Sequence, residues 1–417
     1  MTDTVAPASG EQTDIPDYPF SREMKCPFDP PPEVVDRAAH SPVKRVRIWD
    51  GSTPWHVTGN AELRQLAADP RVSVNEHLEG YPHWDEGMAG SVEHRPRTIV
   101  TLDGEEHAKM RRLATRSFSF KKVNALRGTI QQMVDEQIDR MLAGPKPVDL
   151  VQALALPVPS RMIAGLLGVP YEDHEFFEAA ANKGADATST PEEKMENVIS
   201  LITYMSKMLE EKLAGPPNDD PDRGVLADYA EYVRAGDIAL DQASLMLIVL
   251  LVAGHETSAN MIGLGVLAVM QDPDQLAILR DTDDPQVIAN AVEEMLRYLS
   301  IVHRSQRRIA VDDIEVGGVT IKAGEGILLD ISGANWDARA FDEPERFDLG
   351  RDASQHVAFG FGPHGCVGQQ LARAELQIVF DTLFKRIPDL KLAIPFEEAP
   401  FTRERLAYGV SSLPVTW

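Results

Sequence analysis

Residues 245–261 form the most apolar helical stretch of the chain, with a single interruption by charge and hydroxyl at Glu256 and Thr257. A helix that is apolar on every side has no wet face, so it must be surrounded by other elements and run through the middle of the protein. Its longest unbroken apolar run, from Leu245 to Ala253, is nine residues, well short of the roughly 20 needed to cross a bilayer. The requirement is therefore a large helical body. Apolar positions recur at helical spacing over residues 105–142 and 150–250, broken by loops such as Gly215-Pro216-Pro217, which is where the surrounding helices are expected.

Strand signals are few. Residues 43–48 and 55–58 flank the turn pair Asp50-Gly51, and residues 308–314 and 319–331 alternate around Gly317-Gly318 and Ala323-Gly324, so a small sheet is expected near the start and another in the last third. The first 42 residues are rich in proline and read as an extended arm without a helix. Neither a repeat nor a separating linker occurs, so residues 1–417 are expected to form one domain, mainly α with a small β part.

Composition removes several functions. With 41 Lys and Arg against 65 Asp and Glu the net charge is −24, and without a basic run such a surface repels nucleic-acid phosphates. At 43% hydrophobic and 25% charged residues the chain is not disordered. Two cysteines, Cys26 and Cys366, build no disulfide framework and point to a reducing compartment. The first 16 residues are polar and lack the basic and apolar regions of a secretory signal, so a cytoplasmic protein away from membranes is expected.

The second chemical feature is the segment from Phe359 to Gly368. It holds four glycines, ends two residues past Cys366 and runs into a helical stretch at residues 369–380. Glycines permit tight turns, and a thiol placed just before a helix meets unpaired N–H donors that favour its thiolate. Zinc and iron–sulfur sites need several Cys or His ligands at short spacing. With only Cys26 elsewhere, a lone thiolate suits a haem iron. The plainer alternative is a buried structural cysteine behind a glycine-rich turn.

This ten-residue string resembles the haem-binding loop of the cytochrome P-450 superfamily, F-G-x-G-x-H-x-C-x-G, at every fixed position. From the Cys26-Pro27-Phe28 arm to Trp417 the chain is similar to the soluble class of actinomycete bacteria. The resemblance implies the cytochrome P-450 fold, with haem b (iron protoporphyrin IX) between the long central helix and the cysteine-loop helix, and Cys366 as the axial iron ligand. It also resembles the family's A-G-x-[D/E]-T motif at residues 253–257. An acid beside an alcohol has no stabilising purpose inside a core helix, whereas cleavage of dioxygen consumes protons that a hydroxyl or water, resupplied by a titratable group, must bring. Glu256 and Thr257 are the expected catalytic pair. Thr257 is placed to reach a carbonyl one turn back and open the helix to water, and Gly254 to leave room for oxygen; His255 reads as structural.

Propionates favour Arg and His partners. The positions that match the family are His107 and Arg111, four apart on one helix, Arg308 at the start of a strand, and His356 before the cysteine loop; Arg304 and Arg307 compete with Arg308. Glu294 and Arg297 match the E-x-x-R motif and imply a buried structural pair with Arg346 as its partner. No dinucleotide, flavin or iron–sulfur motif occurs, so electrons must come from outside. Lys109, Arg112, Arg116, Lys121, Lys122 and Arg373 form a local basic patch that suits an acidic ferredoxin, itself reduced by a ferredoxin reductase from NADPH or NADH. Substrate is expected at Leu247, Leu250, Ala253, Ile301, Val302 and Val410, and under a mobile loop at residues 73–99. The leading expectation is a monomeric monooxygenase that hydroxylates a lipophilic natural product or xenobiotic. The alternatives are a haem-thiolate nitric oxide reductase, against which Glu256 argues, and a non-catalytic haem carrier or gas sensor.

Overall fold

The computed structural model describes residues 15–22, 26–173, 176, 180, 190–217, 224–403 and 405–417. The apolar stretch is the interior of one unbroken helix, Leu240–Met270. It packs against helices Pro157–Leu167, Pro191–Ala214, Val225–Arg234, Pro285–Leu299 and Gln369–Arg386. By length and composition it could cross a membrane, but Leu247, Ile262, Leu264 and Val266 are fully buried against these neighbours. Its apolarity is accounted for by the centre of the fold.

The helix ends where Asp272 begins the next one, its carboxylate accepting from the N–H groups of Asp274 and Gln275 at 3.0 and 3.2 Å. Such a cap satisfies donors that the first helical turn leaves unpaired. A second layer forms where Phe120–Ala143 packs on Gln369–Arg386. The two helices that flank the cysteine loop's outlet are thereby fixed to each other and to the centre.

The β part is a five-stranded sheet in the order Val43–Arg45, Trp55–Val57, Gly326–Leu329, Gln306–Ala310, Val72–Ser73. Trp55–Val57 and Gly326–Leu329 run parallel and the other pairs antiparallel. The Asp50-Gly51 turn joins the first two strands as expected, with Gly51 at φ +82°. Ile314–Val316 and Val319–Ile321 form a separate hairpin. Its turn residues Gly317 and Gly318 sit at φ +54° and +80°, a backbone that residues with a Cβ adopt at a cost.

One expectation about the arm is corrected. Residues Pro32–His40 are helical, because a proline in the first turn has no needed N–H to lose and its fixed φ already suits a helix. Val34 and Ala38, four apart, supply the buried face.

Candidate functional site

The cysteine loop is built by its own backbone. The Cys366 N–H donates to the Phe359 carbonyl at 2.7 Å and the Gly360 N–H to Val357 at 2.8 Å. Gly360 and Gly362 take φ +71° and +70°. A Cβ on Gly362 would lie 2.4 Å from the Ala67 carbonyl oxygen, so that glycine serves packing against helix Asn60–Ala68. Cys366 is exposed, yet protein surrounds it closely enough that burial pushes its thiol up. It therefore opens onto an internal hollow. The N–H groups of Gly368 and Gln369, at the start of helix Gln369–Arg386, and the guanidiniums of Arg111 and Arg373 pull the other way, as an anionic sulfur requires.

Basic side chains gather beside the cysteine loop. His107 is buried in helix Gly104–Ser117, its ring 4.1 Å from that of His364 in the cysteine loop. Its Nε2 is buried without a hydrogen-bond partner. Burial, reinforced by His364 and Arg111, pulls its pKa down to about 4. Arg111 lies one turn on, is lowered by burial and is favoured by the Cys366 sulfur. Arg308 is also lowered by burial. It donates to the Arg307 carbonyl at 2.7 Å and to Gln306 Oε1 at 3.2 Å. Buried guanidiniums short of a carboxylate, an orphaned imidazole nitrogen and an open sulfur suit a flat dianionic group around a thiolate-seeking metal.

The competition among the arginines has a structural answer. Arg307 turns the other way, its guanidinium over Tyr81 and Trp84 at 5.6 and 5.3 Å. Alternation along strand Gln306–Ala310 puts the two side chains on opposite faces. Arg304 acts electrostatically on Tyr18 and His303. His356 does not join the set: its Nε2 lies 2.9 Å from Glu293 Oε2 and its Nδ1 accepts the Ala358 N–H at 3.1 Å. Glu293 also takes two bonds from Arg373 at 2.7 and 2.9 Å. Although burial opposes it, these partners hold the Glu293 carboxyl down at about 2. Arg373 is accordingly committed to Glu293 and withdrawn from the basic patch.

On the central helix, Ala253 is exposed in the middle of the most apolar stretch, and Glu256 and Thr257 are half-buried. The Thr257 hydroxyl donates to the Ala253 carbonyl at 2.8 Å, the reach expected from the spacing. The helix is not opened there, because the bond is added to an intact ladder. Gly254 has another task than the one expected. A Cβ there would lie 2.9 Å from Ile163 Cδ1, so the glycine lets helix Pro157–Leu167 approach. Glu256 Oε1 lies 3.4 Å from Arg405 Nη1. Burial raises its carboxyl, with Arg405 and Asn260 opposing.

Of the expected substrate positions, Ala253 is open and Ile301 and Val302 are half-buried. Leu247, Leu250 and Val410 are corrected. Leu247 is fully buried, Leu250 5% exposed and Val410 3% exposed. Six residues at about 100° each put Leu247 well round the helix from Ala253, and Val410 packs toward Gly263. The sequence missed Arg405, which reaches Glu256 from an irregular segment that no local periodicity marks. The loop at residues 73–99 is anchored and not free. Glu76, buried, pairs with Arg95 at 3.0 Å, and a Cβ on Gly80 would meet the Gly324 carbonyl oxygen at 2.1 Å.

Glu294 and Arg297 form a fully buried pair, Nε and Nη2 reaching the two carboxylate oxygens at 2.7 and 2.8 Å. Arg297 Nη1 also donates to the carbonyls of Asn335 and Pro344 at 2.9 and 2.8 Å. The expected third member is corrected. Arg346 offers only its backbone carbonyl, at 3.3 Å, while its side chain turns outward to Glu343 and Asp348. The second guanidinium on Glu294 is Arg351, at 3.3 Å. Five residues further on, it approaches from the side of the carboxylate that Arg297 leaves open.

Comparison with known proteins agrees with this geometry. The cytochrome P-450 family profile matches residues 236–388. CYP105Q4, a cytochrome P-450 of Mycobacterium marinum, is 55% identical over 419 residues, covering 100% of both chains. The crystal structure of GfsF, a cytochrome P-450 of Streptomyces halstedii, superposes with a TM-score of 0.89 at 47% identity over 96% of this chain and 100% of that one. MycCI, the mycinamicin VIII C21 methyl hydroxylase of Micromonospora griseorubida, superposes with a TM-score of 0.88 at 35% identity, over 97% and 100% of the chains.

Proposed function

The chain belongs to the cytochrome P-450 family of haem monooxygenases, and from that premise we propose that it hydroxylates a bulky lipophilic natural product with electrons from a ferredoxin. The balance is substrate C–H plus dioxygen, two electrons and two protons, giving the alcohol and water. Haem, when bound, supplies the activation of dioxygen and the transfer of one oxygen atom. The remainder is the work of side chains.

Cys366 would hold the iron through its sulfur, with the Gly368 and Gln369 N–H groups and Arg111 favouring its anionic form. His107, Arg111 and Arg308 would take the propionates, for which the orphaned Nε2 of His107 is a ready donor. Ala253, Ile301 and Val302 would give an apolar wall from which substrate excludes water. Thr257 presents its oxygen to the hollow beside Ala253, and Glu256 is the titratable group next to it. A relative named as a methyl hydroxylase supports C–H hydroxylation.

Lys109, Arg112, Arg116 and Lys121 are exposed on the helices Gly104–Ser117 and Phe120–Ala143, and Phe120, where the second begins, is 72% exposed. Exposed cations with an exposed aromatic among them in the chain, on a protein of net charge −24, favour an acidic one-electron donor over a second copy of the chain. Among the described residues no basic surface for nucleic acid competes with it, and the reading carries a cytoplasmic location with it.

The observation that carries the proposal is the open Cys366 sulfur with the Arg111 guanidinium beside it and the buried His107 Nε2 left without a partner. The test is the reduced carbon monoxide spectrum of the purified holoprotein. Sulfur ligation gives a red-shifted Soret band that Cys366→Ser abolishes; a band at the ordinary position, or one unchanged in the variant, overturns the assignment.

A further inference from the structure

The central helix carries a second docking line beside the acid. Asn260 lies one turn beyond Glu256 on the same face. It donates to the Ala407 carbonyl at 3.5 Å, and a Cβ on Gly409 would lie 2.0 Å from its Oδ1. One turn back, Arg405 Nη1 reaches Glu256 Oε1 at 3.4 Å. The segment 405–410 therefore seats on the helix at two points four residues apart. Its other side joins the wall of the hollow: Ala407 bridges to Val302, the Tyr408 N–H donates to the Ile301 carbonyl at 2.8 Å, and the Arg405 carbonyl lies 2.6 Å from the His303 ring nitrogen. Between them Leu406 stands 59% exposed.

We propose that Arg405 is a positioning residue for Glu256, tying the orientation and charge of the acid to the segment 405–410 that seats on the central helix. The proposal rests on the monooxygenase reading and deepens it. Arg405 is the one charged group acting on the Glu256 carboxyl among the described residues, with the neutral Asn260 hydrogen-bonding beside it; burial pushes the other way. The cation favours the ionised carboxylate and directs it toward residues 405–407. Release of that hold leaves burial to raise the carboxyl and frees the acid to turn toward Thr257 with a proton.

The experiment uses the holoenzyme and three variants, Arg405→Gln, Arg405→Lys and Glu256→Gln. The infrared band of the protonated Glu256 carboxyl, identified by its loss in Glu256→Gln, is titrated against pH. Without the cation burial acts alone, so in Arg405→Gln the titration moves to higher pH, and Arg405→Lys, which keeps the charge but not the fork, falls between it and the parent. The pH profile of product formed per nicotinamide oxidised moves in the same direction, and a purely structural role would not produce that. A Glu256 titration in Arg405→Gln that coincides with the parent's overturns the proposal. A parent that forms no product from lipophilic compounds, yet shows the infrared shift, sinks the monooxygenase reading and leaves the pair standing.

Discussion

Glu375 is a carboxyl with no counter-charge. It lies in helix Gln369–Arg386, 1% exposed, where it faces the central helix and hydrogen-bonds with Ser258, while its Oε1 has no partner. Burial raises it from 4.5 to about 8, so at neutral pH the folded protein holds it as the neutral acid. An acid raised on folding contributes stability that is intact below its unfolded pKa and drains away as pH rises toward its folded one. The unfolded chain gives up this proton near pH 4.5 and the folded chain does not until near pH 8.

Glu375→Gln isolates the effect. Glutamine has the same shape, keeps a donor and an acceptor for Ser258 and never ionises. Each pH unit inside the window is worth about 1.4 kcal/mol, so from pH 5 to pH 7.5 the stability of the variant relative to the parent should rise by about 3 kcal/mol. Equilibrium urea unfolding of both proteins at pH 5, 6, 7 and 7.5, followed by far-ultraviolet circular dichroism, gives the difference, in which every other titrating group cancels. A difference constant across these pH values refutes the reasoning. So does one that shrinks as pH rises, because it would mean that Glu375 is ionised and paired in the folded protein.

Two further outcomes follow from the site. Arg297→Ala leaves Glu294 buried with the Asp348 N–H at 3.1 Å and, as its one remaining cation, Arg351 at 3.3 Å, and loss of one partner of a buried pair costs about 3–5 kcal/mol; a change under about 1 kcal/mol in the same unfolding assay would contradict a structural role. Thr257→Ala should raise peroxide released per nicotinamide oxidised severalfold at the expense of product, whereas Thr257→Ser keeps the oxygen and the coupling. Equal coupling in all three proteins would remove Thr257 from the chemistry.

Features held by near neighbours in the chain were legible beforehand. The helix–threonine bond spans four residues, the ion pair three, and the glycine turn of the cysteine loop ten, and in each the spacing alone states the geometry. What escaped was decided across long separations. Arg351 takes the place expected of Arg346 because the turn over residues 343–351 directs one side chain in and the other out. Gly254 answers to Ile163, and Arg405 reaches Glu256 from 149 residues away. Leu247, Leu250 and Val410 looked like lining because they are apolar and near the right motifs, but packing on both sides leaves them no open face. The helix at Pro32–His40 escaped for another reason: proline density reads as extension, and only its first-turn placement reverses that.

The intact bond from Thr257 to Ala253 also limits what each member of the acid–alcohol pair can do. A hydroxyl has one hydrogen to donate and two lone pairs. At 2.8 Å from the Ala253 carbonyl the hydrogen is spent within the helix, which leaves Thr257 an acceptor toward the hollow. It can hold a proton-bearing oxygen in place, but it cannot hand over its own proton without giving up the carbonyl. In the proposed reaction, delivery would therefore fall to a group that titrates. Glu256 is the adjacent one, and burial raises its carboxyl in spite of Arg405, so that it regains a proton more readily than an acid in water would. The division of labour proposed for the pair, one side chain to hold and the other to supply, rests on where a single hydrogen points.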